Sequence, residues 1–196
     1  MLSSKANEIA NNENDKDSLH SYSYHVTQQR PRIYEIQGHT EAFVKVPVLT
    51  IPFHHTVPLL YKIQFEGSCY SGQSAWLYLR FMIDDYLLYV DKFVPNTNDR
   101  YQLFPEDTEN NGIDYIGGFY WYTNAVAVTT CAFSSIVNLN PGVHVIDVGA
   151  RGGYRNHSNF PVKVIGGILR VELINFKSQT NIGMTPMNVT TTHFSG

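Results

Sequence analysis

Residues Ile136 to Phe176 read IVNLNPGVHVIDVGARGGYRNHSNFPVKVIGGILRVELINF. The stretch reads as two strands joined by a long polar loop. Asn140-Pro141-Gly142 breaks regular structure: proline fixes φ and glycine supplies φ > 0, which suits a type II turn. Beyond it Val143, Val145 and Asp147 alternate with His144, Ile146 and Val148. Apolar residues fall on both sides, which predicts a strand covered on both faces or central in its sheet. Gly149 to Asn159 is rich in Gly and Asn and reads as loop. The pair Gly166-Gly167 interrupts the next apolar run and reads as a bulge or bend. From Ile168 to Phe176, Leu169, Val171 and Leu173 point one way and Arg170 and Glu172 the other, the period of a half-buried strand.

The same grammar extends upstream. Ala42 to Phe53 reads as a strand, but Pro47 and Pro52 cannot donate ladder hydrogen bonds, so it belongs at a sheet edge or carries a bulge. In Val57 to Gly67, Tyr61, Ile63 and Phe65 alternate with Lys62, Gln64 and Glu66. Ser68 to Ser74 reads as a loop of small residues. Ala75 to Ile83 alternates Leu77, Leu79 and Phe81 against Trp76, Tyr78 and Arg80. Asp84-Asp85 then makes a tight turn into Tyr86 to Val90. Pro95 to Gly112 is a polar, acidic loop with an apolar island at Tyr101 to Phe104. Ile113 to Thr123 and Ala125 to Val137 supply two further strands. No segment of useful length carries a helical period. The sum is an all-β, antiparallel jelly-roll β-sandwich of about eight strands.

Pro141 to Val148, the closing strand Leu169-Arg170-Val171-Glu172, Tyr61 to Gly67 and Tyr78 to Asp85 together resemble the small jelly-roll modules of bacterial and phage surface proteins, which are similar to C1q/TNF-like domains. The resemblance spans roughly residues 43 to 176. It implies trimeric assembly and recognition rather than catalysis.

The 196 residues suit one domain with arms. The expected division is a polar N-terminal arm at 1–37, the sandwich at 38–177 and a polar C-terminal tail at 178–196. Tyr22, Tyr24 and Val26 form a strand-like island inside the first arm, suited to pairing with a sheet edge of a neighbouring subunit. Net charge is −3 with no Lys/Arg cluster, so nucleic acid is not an expected partner. No run of about 18 apolar residues exists, so no membrane span is expected. The N-terminus lacks the apolar core of a secretory signal.

Candidate chemistry is sparse. Cys69 and Cys131 are either two reduced apolar residues or one disulfide. No C-x-x-C pair, paired metal-ligand histidines, G-x-S-x-G elbow or phosphate-cradling loop is present, and no cofactor is expected. Asp84 and Asp85 at the hairpin, with Asp107 and Glu109 in the acidic loop, are oxygen-rich enough to be a weak Ca²⁺ candidate, against a reading as solvated turn residues. Phe119-Tyr120-Trp121-Tyr122 is the main binding candidate. Alternation separates Phe119 and Trp121 from Tyr120 and Tyr122. If Trp121, or Tyr120 and Tyr122, face solvent, they form an aromatic platform for a sugar or a partner, which Trp76 and Tyr78 would extend.

The expected function is a non-enzymatic structural or adhesive subunit at a cell or particle surface. It self-associates as a homotrimer or larger assembly, with the arm contributing to subunit contacts. The alternative is a carbohydrate-binding module using the aromatic platform.

Overall fold

A computed structural model describes residues 21–38, 40–90, 92–103, 112–153, 160–175 and 190–191. The strands are β1 (Ser21–Gln28), β2 (Ile33–Ile36), β3 (Val44–His55), β4 (Leu59–Ser71), β5 (Ala75–Ile83), β6 (Tyr86–Tyr89), β7 (Lys92–Val94), β8 (Phe119–Thr123), β9 (Ala127–Leu139), β10 (Gly142–Gly152), β11 (Val162–Asn175) and β12 (Thr190–Thr191). Among the described residues, the 3-10 turns Asn98–Leu103 and Gly112–Tyr115 precede β8.

The first sheet runs β1-β11-β4-β9, with β2 also paired to β11. The second runs β3-β10-β5 and continues through β6 and β7 to β12, while β8 pairs with β5. The eight principal strands are therefore β1-β11-β4-β9 facing β3-β10-β5-β8, the order produced when two Greek keys wind together as a jelly roll. Seven of the eight expected strands lie in this frame; the eighth expected strand, Tyr86 to Val90, is the marginal β6, and β1 takes its place from the segment expected to be an arm. The four strands outside the frame are short additions at its margins.

The core lies between the sheets. Tyr61, Ile63 and Phe65 of β4 face Leu77, Leu79 and Phe81 of β5, with Ile146, Val148, Val164, Leu169 and Val171 completing it, all fully buried. Each such side chain contributes roughly 1.5–3 kcal/mol on burial. A second apolar cluster covers the other face of β5: Tyr78 and Met82 meet Phe43, Leu87, Tyr89 and Ile113. This second layer explains why β5 is buried on both faces along most of its length.

Several local expectations hold. β10 is central, paired with β3 and β5. Proline-bearing β3 is an edge strand, irregular opposite Asp147–Gly149. The ladders of β11 shift between Ile165 and Ile168, so Gly166-Gly167 is a bulge. Gln29 fills it: its Nε2 donates to Val164 O and its Oε1 accepts from Gly167 N, at 2.8 and 2.9 Å.

Others are corrected. The boundary at residue 37 does not hold, because β1 and β2 pair with β11 of their own chain and belong to the sandwich. The alternation of Tyr22, Tyr24 and Val26 was the sign of it. Residues 1–20 and 178–189 lie outside the described residues. β4 runs to Ser71 and β10 to Gly152, because partner strands satisfy backbones that composition alone assigned to loops. Gly142 has φ 159°, extended, so it opens β10 rather than completing a type II turn. Residues 112–115 form a 3-10 turn instead of strand, and the backbone reaches β8 through Gly117 at φ 71°. A Cβ on Gly118 would meet Leu79 O at 2.5 Å, so only glycine passes this close to β5.

Candidate functional site

Strand pairing builds an aromatic ridge on the outer face of the second sheet. The register of β5 with β8 sets Trp76 opposite Tyr122 and Tyr78 opposite Tyr120. Cross-strand partners lie close enough for their rings to meet. Ring centroids are 4.3 Å apart for Trp76 and Tyr122, 5.5 Å for Trp76 and Tyr120, and 5.7 Å for Tyr78 and Tyr120. Tyr115, carried in by the 3-10 turn, lies 4.5 Å from Tyr120 and 5.9 Å from Tyr78. Trp76 is inclined by 8–31° to these four tyrosines, so the rings form one continuous strip. Tyr120 and Tyr122 are 40% and 43% exposed, whereas Tyr78 is buried. Burial first, then the nearby Tyr115 and Tyr122 phenols, raises the Tyr120 pKa above the ordinary tyrosine value.

The expected platform is thus assembled in part. Trp76, Tyr120 and Tyr122 come together. Trp121 does not: it sits opposite Leu77 in register and packs, with Phe119, against the inter-sheet core. Alternation requires the split. Tyr115 was missed because a strand from Ile113 to Thr123 would set it on the face of Phe119 and Trp121, whereas the 3-10 turn brings it to the ridge.

Beneath the ridge lies a cluster that the sequence reading did not assemble. Asp114 and three arginines, Arg80, Arg100 and Arg151, are all at most 1% exposed. Asp114 Oδ2 lies 2.8 Å from Arg151 and 3.1 Å from Arg100. Its Oδ1 accepts from Tyr89 OH at 2.7 Å and from Arg100 Nε at 3.1 Å. Arg80 donates to the carbonyls of Leu88, Ile113 and Asp114 at 3.2–3.5 Å. The guanidinium of Arg151 stacks over Tyr78 at 4.3 Å and that of Arg80 over Tyr89 at 3.5 Å. Burial is the largest influence on the Asp114 carboxyl and pushes its pKa up. The Arg151 charge, the Arg100 bond and charge and the Tyr89 bond together outweigh it and hold the carboxyl below the ordinary carboxylate range. The one warning in sequence was Arg80, a charged residue inside the otherwise apolar run LYLRFMI.

The acidic candidates separate. Asp84 and Asp85 have φ 54° and 70°, the two positive values of a type I′ hairpin turn. Asp84 Oδ1 accepts from Val145 N at 2.8 Å, its Oδ2 lies 2.7 Å from His144 Nδ1, and Asp85 pairs with Lys45 at 2.6 Å. Both carboxylates thus tie the hairpin to β10 and β3. Asp107 and Glu109 lie outside the described residues. Among the described residues no group of three or more His, Cys, Asp or Glu is placed to hold a metal ion.

Cys69 and Cys131 form a disulfide inside the core, joining β4 to β9 with Cα atoms 5.8 Å apart. Beyond this bond, β9 leads to an open edge. Its thirteen residues pair with β4 throughout, and among the described residues no strand pairs with its other side. The strand AVTTCAFSSIVNL holds no proline and no formally charged residue, and Val128 and Ile136 are 64% and 58% exposed. A groove of about 520 Å³ follows the edge between Phe133–Ile136 and Val90, Gly117 and Gly118.

No family model and no curated protein matches this chain. Among solved structures, the chain is similar to an Eiger TNF from S. frugiperda at 10% identity, covering 81% of this chain and 98% of that one, with a TM-score of 0.38. It is similar also to dimeric latent PorU from Porphyromonas gingivalis at 9% identity, over 84% of this chain and 14% of that one, with a TM-score of 0.33.

Proposed function

We propose that this chain is a non-enzymatic structural or adhesive subunit that self-associates through its first sheet. The open edge of β9 carries the reading. An exposed strand edge is a template for another chain, and proteins that stay monomeric blunt it with Lys, Pro or a short strand. β9 has none of these devices over thirteen residues.

The far edge of the same sheet supplies a matching surface. β1, SYSYHVTQ, also lacks proline and formal charge. Each strand of β1-β11-β4-β9 is antiparallel to its neighbour, so β1 runs opposite to β9. A second copy that lays its β1 along β9 therefore continues the antiparallel sheet without a break in polarity. This contact joins two different surfaces. It closes into a ring, a trimer or larger, or runs on as a filament. The buried disulfide supports an oxidising setting such as a cell or particle surface.

Light scattering on a sizing column tests the reading. The unaltered chain is expected to assemble, and a Thr130→Lys/Ser134→Lys chain and a Val26→Lys chain are each expected to be monomeric. An equimolar mixture of the two variants retains one free β9 and one free β1, and is expected to form a one-to-one dimer. An unaltered chain that stays monomeric at every concentration overturns self-association. A mixture that stays monomeric while the unaltered chain assembles overturns the β1–β9 pairing.

A further inference from the structure

We propose that the Trp76-Tyr115-Tyr120-Tyr122 ridge is a binding site for a neutral oligosaccharide, separate from the strand edges used in self-association. Three features of the ridge point to that ligand class.

The first is shape. The rings form one strip, with Trp76 within 6.2 Å of Tyr115, Tyr120 and Tyr122 and inclined to them by 22–31°, and the strip is open to solvent at Tyr120 and Tyr122. Aromatic rings offer a large apolar face at little cost in conformational freedom, and tyrosine adds a polar tip. A pyranose has the complementary form, with a face of C–H groups and a rim of hydroxyls.

The second is preorganisation. Tyr78, the inner member of the strip, is fixed between β8 and the Arg151 guanidinium, which in turn is held by Asp114 at 2.8 Å. Cross-strand register fixes Trp76 and Tyr122 directly. A ligand that docks here orders little that is not already ordered, which matters for sugars because their contacts are individually weak.

The third is charge. Strand β8 reads FYWYT, without a formally charged residue. Among the described residues, the charges packed beneath the ridge, on Arg80, Arg151 and Asp114, are at most 1% exposed and bonded to one another or to carbonyls. These buried groups offer a charged ligand no counter-ion at the surface. Hydroxyls of a neutral sugar find the phenols of Tyr115, Tyr120 and Tyr122, which are close enough for Tyr115 and Tyr122 to influence Tyr120.

The test is calorimetric titration of the full chain with a panel of neutral hexasaccharides of glucose, mannose, galactose and N-acetylglucosamine, with tryptophan emission followed in a Trp121→Phe chain so that Trp76 alone reports. One member of the panel is expected to bind and shift Trp76 emission. Tyr122→Ala and Tyr120→Ala are each expected to weaken it about tenfold, the effect of losing one ring contact, while Tyr86→Ala, at an exposed position of the β5–β6 hairpin away from the ridge and from β1 and β9, leaves it unchanged. The proposal is overturned if no member of the panel binds to the natively folded chain, or if binding survives both ridge substitutions. It is overturned equally if Tyr120→Ala or Tyr122→Ala lowers the mass in solution, since the ridge is then a contact between copies.

Discussion

Arg151 reaches Asp114 across the second apolar layer at 2.8 Å, with neither side chain exposed to solvent. Arg100 shares the same carboxylate and Arg80 donates to the Asp114 carbonyl. The Asp114 carboxylate thus pairs with buried guanidiniums from β10 and the first 3-10 turn, while that of β5 is held by backbone carbonyls. Removing a single partner from such a cluster costs far more than the cluster contributes, because the remaining charges stay buried without compensation.

Asp114→Asn is accordingly expected to destabilise the fold by about 3–5 kcal/mol. Urea unfolding followed by circular dichroism measures it. A loss within about 1 kcal/mol, the value of an exposed pair, would show that the carboxylate is not what balances the arginines.

Acid should find the same weak point. The Asp114 carboxyl titrates below its ordinary value of 3.8 in the folded chain. A depressed folded value contributes stability that is complete above the unfolded value and is lost as pH falls through the folded one. The melting temperature is expected to change little down to about pH 5 from this source and to fall steeply below about pH 4. The Asp114→Asn chain is expected to lack that part of the slope. Parallel slopes in the two chains would assign the acid sensitivity elsewhere.

The Cys69–Cys131 bond closes a span of 62 residues. Constraining an unfolded loop of that length stabilises the native state by about 4 kcal/mol in the chain-entropy model. Cys69→Ala/Cys131→Ala is expected to lower the urea midpoint correspondingly, with the unfolding slope raised because the unfolded chain is less compact. An unchanged midpoint would show that the bond adds nothing to folding.

The two glycines of the β11 bulge should fail for different reasons. Gly166 has φ 64° and open space around it, so Gly166→Ala costs roughly 1–2 kcal/mol and Gly166→Asn, which tolerates that conformation, costs less. A Cβ on Gly167 would meet Phe65 at 2.8 Å and Gln29 at 3.0 Å, so Gly167→Ala costs about 1–3 kcal/mol by overpacking and Gly167→Asn costs more. Thermal melts of the four variants separate the cases. The reverse ranking of the asparagine variants would refute the assignment.

Period-two alternation was enough to read the sandwich and the central position of β10, the prolines of β3 gave its edge position, and the glycine pair of β11 gave its bulge. These were legible because each depends on residues within one strand. Such local signals are silent wherever tertiary pairing decides. Ser68–Ser71 and Gly149–Gly152 look like loops until β11, β5 and β3 pair with them. The candidate site was legible to the same extent. Strand faces separate Trp121 from Tyr120 and Tyr122, but which face meets solvent is decided by packing between the sheets, and that excludes Trp121. Tyr115 arrives from a 3-10 turn, where the period of the expected strand does not apply, and the arginine cluster from segments distant in sequence, where no local period connects Asp114 with Arg80, Arg100 and Arg151.

The disulfide has a consequence for survival as well as for stability. Between its two cysteines the chain lays down β5 to β8, the half of the second sheet that carries the aromatic ridge, while β3 and β10 are supplied from outside that span. A single protease cut anywhere from Gly72 to Val126 therefore releases no fragment. Both pieces remain covalently joined through the core and remain paired with their sheet partners. A nick in that region is damage that the architecture can absorb without shedding its outer layer.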